Sequence, residues 1–232
     1  MQYVTKNSCD LSHKETKHPG HLILVNGGSS AGKSSACRAF QDIADEEYIM
    51  LGIDHFWLAI PPKHCDLDTV EPKYFLSQTH NKNEKPYFHI TPGPCLDNVI
   101  YASYKAIASY LAAGVNVITD QIFWKPEWFQ AALDTFSPYK VFYVGLKVSD
   151  EEGSKRERKR STGASNTEDG NRPDGWNRCS AEITHANMIY DLELDNTHLS
   201  ILETAQQILA GYKACPNPAA FKQFYKEHES EY

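Results

Sequence analysis

From Gly27 to Ser34 the chain reads Gly-Gly-Ser-Ser-Ala-Gly-Lys-Ser, a spacing of the form G-x-x-x-x-G-K-S. Glycines let such a backbone curl until successive N–H groups point inward as an anion nest. An apolar run at 22–25 precedes it and a segment with helical character follows at 35–40, the strand–loop–helix setting of a phosphate-binding loop. A helix starting near Gly32 aims its positive end at the same point. The predicted nucleotide-binding residues are Gly27, Gly28, Ser29, Ser30, Ala31, Gly32, Lys33, Ser34 and Ser35. Lys33 would reach the β- and γ-phosphates, and the Ser34 hydroxyl would ligate Mg²⁺, so ATP and Mg²⁺ are the expected cofactors. A ligand-free Gly/Ser-rich turn is the plainer account, and the flanking strand weighs against it.

Four further features could do chemistry. Asp54 follows the apolar stretch 48–53, where a carboxylate can take the proton of an acceptor hydroxyl and hold its oxygen in line with phosphorus. The same residue could cap a helix over 56–60. Asp120 follows the stretch 115–119 and suits a second Mg²⁺ ligand, or a turn aspartate with a local backbone bond. A basic run spans 155–160 in an otherwise acidic protein; Arg158 and Arg160, with Arg172 across a glycine-containing polar loop, could form a lid that neutralises a transferring phosphoryl group. A solvated helix face is the other account of that run. Phe56, Trp57, Tyr74, Phe75, Tyr87 and Phe88 could wall an apolar acceptor or fill a loop subdomain.

The elements that must position these residues alternate. Strands are expected at 21–26, 48–53, 115–119, 140–148 and 190–195, and helices at 33–45, 97–113, 126–136, 150–160, 176–187 and 199–212. That order argues for a parallel sheet with right-handed crossovers, helices on both faces and ligands at the C-terminal strand ends. Residues 56–95 lack a clear period and read as an acceptor-side insertion; 150–175 reads as a lid. Residues 1–20 read as a flexible leader, 21–213 as one domain and 214–232 as a polar tail of marginal helix or disorder.

Bulk properties narrow the function classes. A net charge of −7 argues against nucleic acid as partner, and a 41% hydrophobic share permits a sizeable core. Six cysteines without C-x-x-C spacing read as reduced thiols. No apolar run is long enough for a bilayer and no secretory signal is evident, so a cytoplasmic location without membrane partners is expected. Composition carries no information on oligomeric state.

The motifs together resemble the chloramphenicol phosphotransferase family of P-loop kinases. The stretches carrying the resemblance are 24–35, 51–56, 91–93, 118–123, 144–146 and 190–198. It implies an α/β P-loop NTPase fold of nucleoside-kinase type: a three-layer sandwich with a mostly parallel five-stranded sheet plus an inserted acceptor and lid region. It also implies ATP- and Mg²⁺-dependent phosphorylation of a small-molecule hydroxyl, with Asp54 at the family's base position and the arginine-bearing lid between 156 and 172. The chain departs from the family at Gln121, which stands where a second acid is common, in an insertion at 162–170, and in a longer 60–90 region. A nucleotide-binding regulatory module without transfer activity is the rival expectation from another class.

Overall fold

In a computed structural model of the chain, residues 18–64, 71–161 and 173–229 are described. Five strands form the central sheet: β1 (His21–Asn26), β2 (Ile49–Met50), β5 (Val117–Gln121), β6 (Lys140–Lys147) and β7 (Leu192–Asp195). Their order is β2-β5-β1-β6-β7 and every neighbouring pair is parallel. Side chains alternate across β1, so its two faces enter two cores. Leu22 and Leu24 join a core with Val117, Val141 and Tyr143, covered by α3 (Pro94–Ala112) and α4 (Pro126–Phe136). Ile23 and Val25 join Ile118, Phe142 and Val144 on the other face, under α1 (Lys33–Ile43) and α7 (Ile201–Ala214). The expected three-layer architecture is therefore observed.

Several local expectations are corrected. The second strand is short: pairing continues as Leu51 N donates to Ile118 O at 3.2 Å, but Gly52 then opens α2 (Ile53–Trp57). Asp54 accordingly sits inside a helical turn, and Gly52 rather than Asp54 is the N-cap. The third strand of the sheet starts at Val117 and runs through Asp120 to Gln121, because Val115 is still tied to Tyr110 O at 3.0 Å beyond the end of α3.

Within 56–95, read as irregular, lies an antiparallel hairpin of β3 (Phe75–Lys82) and β4 (Lys85–Pro92). Its two-residue turn, Asn83-Glu84, has φ of 53° and 61°, the paired left-handed geometry that matches strand twist. The turn lacks glycine, which is why the pattern was hard to see. Pro86 is tolerated because both strands of a two-stranded ribbon are edges.

The stretch 150–175 supplies α5 (Asp150–Ser161), and α6 (Trp176–His185) follows it. The insertion at 162–170 and Arg172 lie outside the described residues. Acidic residues fill the first turn of α5 and basic residues its last, complementing the helix dipole. The segment read as a polar tail contains α8 (Ala220–Glu229), which has an apolar edge: Phe221 is 1% exposed and packs on Phe129 and Tyr143. Phe221→Ala should lower unfolding free energy by about 3 kcal/mol in urea titration, whereas a tail independent of the core would leave it unchanged.

Candidate functional site

The loop between β1 and α1 is held in an unusual backbone conformation. Gly32 has φ 91°, open to glycine, but Ser30 also lies in the left-handed region at φ 59°. For a side chain with Cβ that costs on the order of 1–2 kcal/mol and persists only where the surroundings over-determine it. The residues on either side of Ser30 are tied down. Ser29 N donates to Ser180 Oγ at 2.7 Å, and Ser29 O accepts from the Asn177 side-chain amide. Ala31 O accepts from Asn196 Nδ2 at 2.5 Å and from Arg156 Nη1 at 3.4 Å.

Lys33, only 6% exposed, donates from Nζ to Gly27 O and Gly28 O, both at 2.8 Å. One residue on, Ser34 Oγ donates to Asp120 Oδ2 at 2.5 Å. Asp120 can stand there because the neighbouring segment carries no side chain at Gly52, where a Cβ would lie 1.6 Å from Oδ1. A hydroxyl and a carboxylate in contact at a loop of N–H groups form a hard-oxygen donor pair that fits Mg²⁺. Asp54 is half-buried in the first turn of α2, two residues beyond the Gly52 that abuts Asp120. Gln121 is fully buried and bonds Thr119 Oγ1 at 2.8 Å, two residues back on the opposite face of the strand from Asp120.

A pocket of about 330 Å³ adjoins the loop. Ser30, Gly32, Ser35 and Ala36 form one wall, the segment from Asn196 to Thr204 another, and Arg156, Lys159 and Arg160 a third. The second wall is fixed by α7's N-terminus, where Ser200 Oγ accepts from Glu203 N at 3.2 Å and the Glu203 carboxylate accepts from Ser200 N at 2.8 Å. Of the arginines singled out from sequence, Arg160 lines this pocket and Arg158 is exposed outside it. Arg156 was missed. It reaches Asn196 O at 2.9 Å as well as Ala31 O. Helical spacing could have found it, since positions 156 and 160 share a face from which 158 is turned away.

The aromatic residues mostly pack. Phe75 and Phe88 are buried in the core, Trp57 leans on Phe75 at 5.4 Å, and Phe88 meets Trp176 at 5.3 Å. Behind the loop lies a polar network: Thr184 Oγ1 donates to Asn26 Oδ1 at 2.6 Å, Asn26 Nδ2 donates to Tyr190 OH at 3.0 Å, and Tyr190 OH meets His185 Nδ1 at 2.7 Å. Burial, with Lys147 and Lys33 nearby, lowers the His185 pKa to about 4.

A parallel sheet with a glycine-rich loop between its central strand and a helix, and Ser34 against Asp120, defines a protein of P-loop kinase fold. Comparison with known proteins places it further. The chain belongs to the chloramphenicol phosphotransferase-like family, whose sequence profile matches residues 20–213. A protein of Mycobacterium tuberculosis (strain H37Rv) named "Putative O-phosphotransferase Rv2636" is 44% identical over 208 residues, 89% of this chain and 88% of that protein. Among solved structures, the APS kinase CysC of Mycobacterium tuberculosis in complex with AMPPNP and APS superposes with TM-score 0.55 at 14% identity, covering 84% of this chain and 99% of its own. A gluconokinase from Sinorhizobium meliloti gives TM-score 0.54 at 16% identity, with 91% and 99% covered. These likenesses establish the fold. Among the described residues, no helix is long and apolar enough to cross a membrane.

The His185 shift has a stability consequence. Its folded pKa lies below the ordinary 6.5, so between pH 6.5 and about 4 the unfolded chain binds the extra proton and stability falls as pH drops. Over that window His185→Asn should lose less stability than the native protein, by up to about 2 kcal/mol allowing for partial exposure. Urea unfolding at a series of pH values measures the difference; parallel pH curves would refute it.

Proposed function

We propose that the protein is an ATP-dependent kinase that moves the γ-phosphoryl group to a hydroxyl of a small molecule. The observation that carries the reading is the contact of Ser34 Oγ with the Asp120 carboxylate at the mouth of the glycine-rich loop. A strand-end acid and a loop hydroxyl are the pair that holds Mg²⁺ beside the phosphates in P-loop enzymes. Family membership, the 44% identical relative named as an O-phosphotransferase and the kinase folds of the structural neighbours support it.

Each residue then has a task. The N–H groups from Ser30 to Ser35 face the phosphates, and Lys33 exchanges its loop carbonyls for phosphate oxygens. The pocket beside Ser35 and Ala36 takes the nucleoside, with Arg156 and Arg160 over its phosphate side. Ser34 and Asp120 would hold Mg²⁺, which supplies positive charge to the phosphate oxygens when bound. Asp54 accepts the acceptor hydroxyl's proton as that oxygen bonds to the γ-phosphorus; the bond from γ-phosphorus to the bridging oxygen breaks and ADP leaves. Arg158 and Arg172 remain candidate lid residues for the same developing charge. The hairpin β3–β4 and α2 flank the acceptor side, and the acceptor is a hydroxyl-bearing metabolite or antibiotic.

The test is a panel of hydroxyl-bearing antibiotics, sugars, nucleosides and nucleotide-sugars incubated with Mg·ATP and read by ADP release and product mass. A product heavier by one phosphoryl group, absent with Lys33→Ala, is expected. ATP binding with no product across the panel would favour a regulatory module. With the acceptor in hand, Asp54→Asn should lower kcat about 10²- to 10⁴-fold while Mg·ATP affinity stays within about twofold. Unchanged turnover would remove Asp54 from the base position.

A further inference from the structure

Helix α6 touches three parts of the site at once. Toward the loop, Ser180 and Asn177 hold the N–H and the carbonyl of Ser29. Toward the hairpin, Phe88 N donates to Gly175 O at 3.2 Å, Arg178 Nη1 donates to Pro86 O at 3.1 Å, and Lys82 pairs with Glu182 at 2.5 Å. Toward α5, its first turn is received by one carboxylate: Glu157 accepts from Gly175 N at 2.9 Å and from Asn177 N at 2.7 Å.

Glu157 is 0% exposed. A carboxylate is costly to bury, and here it is matched to the N–H groups and positive end of a ten-residue helix. The adjacent Arg156 projects to the other flank of the loop, at Ala31 O. One turn of α5 therefore grips the phosphate loop twice: directly through Arg156 at Ala31, and through Glu157 and α6 at Ser29. Between these grips lies Ser30, the residue in the left-handed conformation.

We propose that Glu157 is a positioning residue for nucleotide binding: its carboxylate fixes the first turn of α6, and through Asn177 and Ser180 the backbone of Ser29, so that α5 and the phosphate loop take up their binding arrangement together. The inference rests on the nucleotide reading above. Two N–H groups need two acceptor oxygens; a protonated carboxyl or a glutamine offers one acceptor and turns a donor on the other N–H. Burial raises the Glu157 pKa to about 7, against the pull of the Asn177 and Gly175 N–H groups. Among the described charged groups that act on it, Asp174 adds to the rise and Arg178 opposes it. The doubly bonded form is thus the one present above about pH 7, and the link weakens as pH falls through that value.

The test uses the full chain and equilibrium binding of Mg·AMPPNP to the native protein, Glu157→Gln, Ser180→Ala and the double variant from about pH 6 to pH 8.5. The nucleotide's own titration is common to all four and cancels in their ratios. Near pH 8 each single variant should bind about 5- to 10-fold more weakly, and the double no worse than about the weaker single, because both cut one linkage. The native advantage should shrink toward pH 6 over both single variants, so Ser180→Ala carries the test even if Glu157→Gln folds poorly. A native-to-variant ratio constant with pH, or multiplicative effects in the double variant, would overturn the proposal. No binding by the native protein, or undiminished binding by Lys33→Ala, would overturn the nucleotide reading and this inference with it.

Discussion

The conformation of one residue, Ser30, sets the terms for the rest of the site. A left-handed serine is not a resting state of the chain; it is maintained because other elements hold Ser29 at both its N–H and its carbonyl and hold Ala31 at its carbonyl. Those elements come from far apart in sequence: Asn177 and Ser180 from α6, Asn196 from the end of β7, and Arg156 from α5. The loop is shaped by the fold around it as much as by its own glycines. On the nucleotide reading proposed above, a loop already held in shape avoids the entropy of ordering when a phosphate arrives.

The parallel sheet places these partners within reach. β1 at its centre delivers the loop, β5 beside it delivers Asp120, and β7 at one edge delivers Asn196. Because all five strands run the same way, their C-terminal ends lie along one edge, and the polar groups that the loop needs are gathered there without crossing the apolar cores. The acidic net charge of the chain does not conflict with phosphate binding. Arg156, Lys159 and Arg160 concentrate positive charge along one wall of the pocket beside the loop, and the Lys33 ammonium lies within the loop itself.

What the sequence made legible follows from how local each signal was. The loop, the central strands and the apolar helices each write their pattern within a dozen residues, and the structure has them close to where that pattern puts them. The contact of Ser34 with Asp120 was also within reach, since both positions follow from strand ends in a known order. Arg156 sat inside a basic run whose members differ only in helix face, and only the 3.6-residue period groups it with Arg160. The hairpin was hidden by a turn without glycine and by strands carrying lysine, histidine and asparagine. Asn177, Ser180 and Glu157 left no mark of their role: each is a common polar residue that depends on a partner 18 to 151 positions away, and Asn196 stood out only as part of the stretch 190–198 that carries the family resemblance. In α8, two phenylalanines in a polar segment were the only sign that it docks.

The most direct measurement is a crystal structure of the protein with Mg·AMPPNP. The account predicts phosphates against the backbone N–H groups from Ser30 to Ser35, the base in the pocket between Ala36 and Leu199, and the Lys33 ammonium shifted from the Gly27 and Gly28 carbonyls onto phosphate oxygens. The metal should touch Ser34, with the Asp120 carboxylate on it directly or through water. A nucleotide bound elsewhere, or a loop left with Lys33 on its own carbonyls at saturating nucleotide, would contradict the account.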